Sequence, residues 1–203
     1  GPREPYMPVL EAFERVLRSP LGRALTPLFR RVAPCWYVQV AILYRCDADG
    51  NNLRPLSSNI EQDNTPWLLA DGRVLYTRWE YVDRSREHFH HLWTMNPDGT
   101  GQMTLFGNMH PGDVYLDAKP VPGENEILMV NSPNHGQQEH EGRIALVRLD
   151  LGADAPKAQT ILNPGKNFRD PYPLSADAFL VAQENRLLVM NRQGQTRELY
   201  RLA

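Results

Sequence analysis

Three histidines, His88, His90 and His91, fall within four positions beside Glu87. In an extended strand alternate side chains share a face, so His88 and His90 point the same way, as two ligands of one metal must. His110 and the loop His135-Gly136-Gln137-Gln138-Glu139-His140-Glu141 bring further imidazoles and carboxylates. Neutral imidazoles with a carboxylate suit zinc or iron, so the expected metal set is His88, His90, His91, His135 and His140. The competing expectation is a group of loop histidines, or histidines bonded to the backbone, because the spacing matches no established zinc signature.

Just upstream lies a dense polar and aromatic run, Arg78-Trp79-Glu80-Tyr81-Val82-Asp83-Arg84. Strand alternation sets Arg78, Glu80 and Val82 on one face and Trp79, Tyr81 and Asp83 on the other. As a ligand site, Arg78, Trp79, Glu80 and Tyr81 would stack and pair with a bound molecule, or Tyr81 would ligate a haem iron supplied by another domain. As packing, Arg78 and Glu80 would pair between sheets and Trp79 would fill the space between them.

Other chemistries lack their residues. Asp47-Ala48-Asp49-Gly50-Asn51-Asn52 opens like a calcium loop, but the position of the closing bidentate Glu holds Ser58. It reads as a turn in which Asp caps its own backbone. There is no GxSxG, P-loop or GxGxxG, and no CxxCH for covalent c-type haem. The formal net charge of −2 gives no basis for nucleic-acid binding. No apolar run approaches the roughly 20 residues of a membrane-spanning helix. Cys35 and Cys46 are the two cysteines, and a disulfide between them is neither required nor ruled out.

The elements that would position these residues repeat along the chain. Short apolar strands end in Asp47–Gly50, Asn96-Pro97-Asp98-Gly99 and Asn191-Arg192-Gln193-Gly194, with a degenerate copy at Leu146–Gly152. A period in the forties to fifties with β patterning predicts β-propeller blades. Trp67–Ala70, Asp71-Gly72 and Arg73–Trp79 read as a hairpin with a two-residue turn. A second phrase, Thr65-Pro66-Trp67, Lys119-Pro120-Val121 and Asp170-Pro171-Tyr172, marks blade entries, where proline costs no ladder bond. Three blades from about 60 to 203 follow, with residues 36–58 as half of another. Because closed propellers use 4–8 blades, this is expected to be part of a larger propeller, to have its open edges covered by the N-terminal arm, or to associate through its open blade edges.

Residues 8–33 differ from the rest. Leu21, Ala24, Leu25, Leu28, Phe29 and Val32 follow one helical face, and Ser19-Pro20 and Thr26-Pro27 read as helix starts. The other face is basic, with Arg15, Arg18, Arg23, Arg30 and Arg31. Such a helix can lie on a membrane surface, but the expectation is a helical arm docked on its own domain. Gly1-Pro2 reads as the scar of a tag-removing protease. The division expected is therefore an arm over 1–35 and a propeller segment over 36–203.

The run 73–84 taken with Leu92-Trp93-Thr94-Met95-Asn96-Pro97-Asp98-Gly99-Thr100, Phe106-Gly107-Asn108 and Asp170-Pro171-Tyr172-Pro173-Leu174-Ser175 resembles the TolB/WD40-like (PD40) propeller repeat. More narrowly, it is similar to the middle domain of hydrazine synthase alpha subunits and their relatives. The resemblance covers about 36–203 and implies an exported, periplasmic or extracellular bacterial protein with flanking domains or other subunits as partners. In that family the propeller stands between haem-bearing domains, and these 203 residues carry no haem-attachment motif. The expected function is a non-catalytic binding or scaffold module, not an enzyme in isolation. The alternative is a metal- or haem-dependent oxidoreductase component of hydrazine synthase type.

Overall fold

Three of the Gly-containing phrases fold alike, each as a hydrogen-bonded reversal, whereas the degenerate copy at Leu146–Gly152 enters a 3-10 turn over Leu149–Leu151. Asn96 N–H donates to Thr100 O at 2.8 Å and Gly99 N–H to Asn96 O at 2.9 Å, and the same pair of bonds recurs at Asp47/Asn51, Leu69/Arg73 and Asn191/Gln195. The closing glycines, Gly50, Gly72, Gly99 and Gly194, all have φ between 74° and 90°, which a Cβ disfavours. Asp49, Asp71 and Asp98 each accept the backbone N–H two residues on, at 3.0 Å. Bonds to Asn51, Arg73 and Thr100 hold these three carboxyls below the usual range. The Asp71-Gly72 turn is one residue longer than a two-residue hairpin loop. The Leu69–Arg73 bond encloses Ala70, Asp71 and Gly72, a three-residue loop with the positive φ at its last position.

The computed structural model describes residues 41–59, 61–80, 89–110, 113–133 and 141–202. All of them belong to the unit Ala41–Ala203. The expected helical arm, Cys35, Tyr81, His88, His135 and His140 lie outside the described residues. The described part is nearly all β, with no α-helix and two 3-10 turns, Leu149–Leu151 and Pro156–Ala158.

A two-stranded hairpin pairs β1 (Tyr44–Arg45) with β2 (Arg54–Pro55). Three antiparallel meanders follow. The first is β3 (Gln62–Leu68), β4 (Val74–Trp79), β5 (His90–Met95) and β6 (Met103–Phe106). The second is β7 (Val114–Pro120), β8 (Glu126–Ser132), β9 (Gly142–Arg148) and the first part of the long β10 (Gln159–Pro173). The third is the last part of β10 with β11 (Ala178–Gln183), β12 (Arg186–Asn191) and β13 (Thr196–Arg201). Single bridges link successive groups at like positions. Asp63 N–H bonds Ala41 O at 2.8 Å, His90 pairs Val114, and Gly142 pairs Phe168.

The first two meanders bury both faces, which is why strands such as Val74–Tyr76 and Ile127–Val130 read as apolar runs, whereas the third buries one face and leaves β13 exposed. Ile127, Met129, Ala145 and Val147 of the second meander pack on Leu75, Leu92 and Phe106 of the first. Their strand neighbours Leu128, Val130, Ile144 and Leu146 pack on Phe179, Val181, Leu188 and Met190 of the third. A smaller cluster joins Leu43 and Leu56 to Val74, Tyr76 and Met95.

The first strand of every meander breaks register once. The breaks fall between Asn64 and Trp67, Leu116 and Lys119, and Arg169 and Tyr172. Each contains one residue at positive φ, Thr65 (46°), Asp117 (53°) or Asp170 (47°). The structural repeat therefore aligns Thr65-Pro66-Trp67 with Asp117-Ala118-Lys119 and Asp170-Pro171-Tyr172. The Lys119-Pro120-Val121 phrase is displaced by two residues, because what recurs is the bulge and not the proline.

Candidate functional site

The register of β4 on β5 decides the fate of the polar run. Arg78 lies opposite His91 and Trp79 opposite His90. Opposed residues share a face and neighbours do not, so His90 and His91 project from opposite sides of the sheet. The structure does not bring these two imidazoles to one point. Both are buried, at 0% and 1% exposure. His90 stacks on Trp79 with centroids 5.0 Å apart, and His91 stacks on Trp93 at 5.9 Å.

Arg78 forms a bidentate pair with Asp63, Nε to Oδ1 at 2.6 Å and Nη2 to Oδ2 at 3.0 Å, and adds a bond to Gln102 Oε1 at 2.8 Å. Its guanidinium also lies over the rings of Trp93 (4.4 Å) and Tyr76 (5.3 Å). Burial alone would lower the guanidinium pKa, but the hydrogen bonds and charge of Asp63 outweigh it and the pKa is raised. Burial pushes the Tyr76 hydroxyl well up. Glu80 Oε1 sits 3.6 Å from His91 Nε2, beyond hydrogen-bond reach, and among the described residues neither nitrogen of His91 has a hydrogen-bond partner. Of the expected ligand-binding residues, then, Arg78 and Trp79 are engaged inside the packing. His110 is held by Tyr115 Oη (3.1 Å) and the Asp154 carbonyl (3.2 Å), as a backbone-bonded histidine. Among the described residues no group of three His, Cys, Asp or Glu is placed to hold a metal ion.

A different cluster reaches solvent. The residues that follow the three bulges, Trp67, Lys119 and Tyr172, converge, although 52 and 53 residues separate them in the chain. With Pro120, Pro122 and Pro173 they line a cavity of about 150 Å³. The Trp67 and Tyr172 rings meet edge to face, centroids 6.0 Å apart at 81°. They are 40% and 44% exposed. Lys119 Nζ lies 5.2 Å from the Trp67 ring centroid and donates to the Asp117 carbonyl at 3.1 Å. Burial lowers the Lys119 pKa, against the opposing pull of Asp117 and Asp170. Sequence reasoning missed this cluster. Its signal was the aromatic two residues after a strained position, at Trp67 and Tyr172, with Lys119 midway between them.

No family model matches the chain, and no curated protein matches it. Solved structures do. A hydrazine synthase from Kuenenia stuttgartiensis is 24% identical over 73% of this chain, with a TM-score of 0.61. A chain of a nidogen/laminin complex is 13% identical over 78%, with a TM-score of 0.53. YCF48 bound to D1 peptide is 16% identical over 78%, with a TM-score of 0.50. The match spans 21%, 54% and 47% of those chains respectively. At these identities the likeness shows the fold alone, and that fold is β-propeller-like.

Proposed function

We propose that this chain is a non-catalytic binding or scaffold module of a larger exported bacterial protein. Its three meanders are read as propeller blades of the TolB/WD40-like kind, with residues 41–58 as the outer half of a further blade. Its partners are flanking domains or other subunits, in the periplasm or outside the cell. One observation carries the reading. The polar and aromatic groups around Arg78 are spent on packing between sheets, whereas the cluster of Trp67, Lys119 and Tyr172 reaches solvent and, among the described residues, holds no catalytic pair.

A second reading rests on His91, whose buried nitrogens lack a hydrogen-bond partner beside Glu80, a state that a metal ion would relieve. Under it the chain is a metal- or haem-dependent oxidoreductase component, with zinc or iron at the histidine cluster. Metal analysis by mass spectrometry, on protein sized by light scattering, separates the two. The scaffold reading expects metal-free protein whose unfolding midpoint ignores chelator. Near-stoichiometric zinc or iron, lost in a His91→Ala variant that remains folded, would replace it with the second.

A further inference from the structure

The cavity formed by Trp67, Lys119 and Tyr172 has a one-sided chemistry. Its polar side-chain atoms are the Trp67 indole N–H, the Tyr172 hydroxyl and the Lys119 ammonium, and no carboxylate or amide side chain lines it. All three can donate. Among the described residues no hydrogen bond engages the indole or the phenol. The remaining walls are proline rings, which carry no N–H. A fitting ligand therefore brings acceptors and compact apolar rings, and needs no partners for donors of its own. It need not be charged, since Asp117 and Asp170 act on Lys119 from nearby.

From this we infer that the cavity docks a proline-containing partner segment in the polyproline II conformation. Such a segment has solvated backbone carbonyls and no N–H at each proline, and its rings dock against aromatic side chains. One proline ring enters the notch between the perpendicular rings of Trp67 and Tyr172. The neighbouring carbonyls accept from the Tyr172 hydroxyl, the Trp67 indole and Lys119. A cavity of about 150 Å³ has room for one such ring, not for an extended cofactor. The three bulges supply the rigidity. Each strained residue, Thr65, Asp117 or Asp170, is fixed by the ladders on both sides, so the side chains that follow are positioned before a ligand arrives.

This inference rests on the binding-module reading and can fail without it. Capped octaproline is titrated into the isotopically labelled chain, with a capped Gly-Ser octapeptide as control, and the Trp67 indole N–H and the Lys119 and Tyr172 backbone amide resonances are followed, the amides alone in the Trp67→Ala variant. The expected result is a saturable shift with octaproline only. Trp67→Ala should weaken binding at least about tenfold, and Tyr172→Phe, which keeps the ring and removes one donor, about fivefold. Unchanged dispersion of the remaining resonances shows that both variants are folded. The inference is overturned by equal binding of the control, by Trp67→Ala affinity within about twofold of the parent, or by no shift up to about 5 mM octaproline. Any of these outcomes with metal-free protein removes the ligand class and leaves the module reading in place.

Discussion

Around Arg78 the chain buries a guanidinium and two imidazoles against indole rings. Around Trp67, Lys119 and Tyr172 it holds two aromatic rings and an ammonium at a solvent-open cavity. The residue types are similar, and the first meander contributes to both groups, with Lys119 and Tyr172 brought to the second group by β7 and β10. What differs is the local pairing. β4 and β5 run in register through Arg78, so every side chain is delivered to a face that the next sheet covers. β3 breaks register at Thr65, and the break places Trp67 at the open cavity. Polar and aromatic composition therefore does not mark a site by itself. A repeated interruption of the ladder, with a strained residue in it, is the better sign in this fold.

The comparison can be broken by mutation. Arg78→Ala leaves the Asp63 carboxylate buried and unpaired, which should cost about 3–5 kcal/mol in urea unfolding. The double variant Arg78→Met/Asp63→Leu should recover most of that loss. If Arg78→Ala were neutral, the ladder around it would not be a packing device. His90→Ala removes a buried ring stacked on Trp79 and should cost about 2–3 kcal/mol by the same measurement. Trp67→Ala removes a ring of similar chemistry from the open cavity. Its unfolding free energy should fall by about 1–2 kcal/mol, less than for the fully buried groups around Arg78, since the ring is 40% exposed. A larger loss would make Trp67 a core residue and erase the contrast.

The smallest effect belongs to the turns. The Asp98 carboxyl is depressed, first by the Thr100 hydroxyl and then by its backbone N–H. A depressed acid stabilises the fold above its unfolded value, near 3.8, and this contribution is lost as pH falls through the folded value. Asp98→Asn should lower the melting temperature slightly near neutrality, converge with the parent in acid, and so make the fall below about pH 4 shallower. An unchanged acid limb would show that the turn carboxylates are not what acid attacks.

Much of this was legible in the one-dimensional pattern. The Gly phrases at Gly50, Gly99 and Gly194 declare themselves because an Asx-type bond and a positive φ involve only neighbouring residues. The opposed faces of His90 and His91 follow from a period of two, and buried apolar runs such as Ile127–Val130 announce sheets covered on both sides. The cavity was not legible in this way. Aligning the blade entries on proline places Lys119 two residues out of phase, and only the ladders show that Ala118 stands where Pro66 and Pro171 stand.

By itself, then, the sequence determined the strands, their turns and their repeat, since these depend on alternation and on bonds spanning a few residues. Which polar and aromatic groups reach solvent was decided by the tertiary structure alone. Trp67 and Tyr172 stand 105 positions apart, and no local energy term relates them until three sheets have stacked and three bulges have turned their side chains to one place.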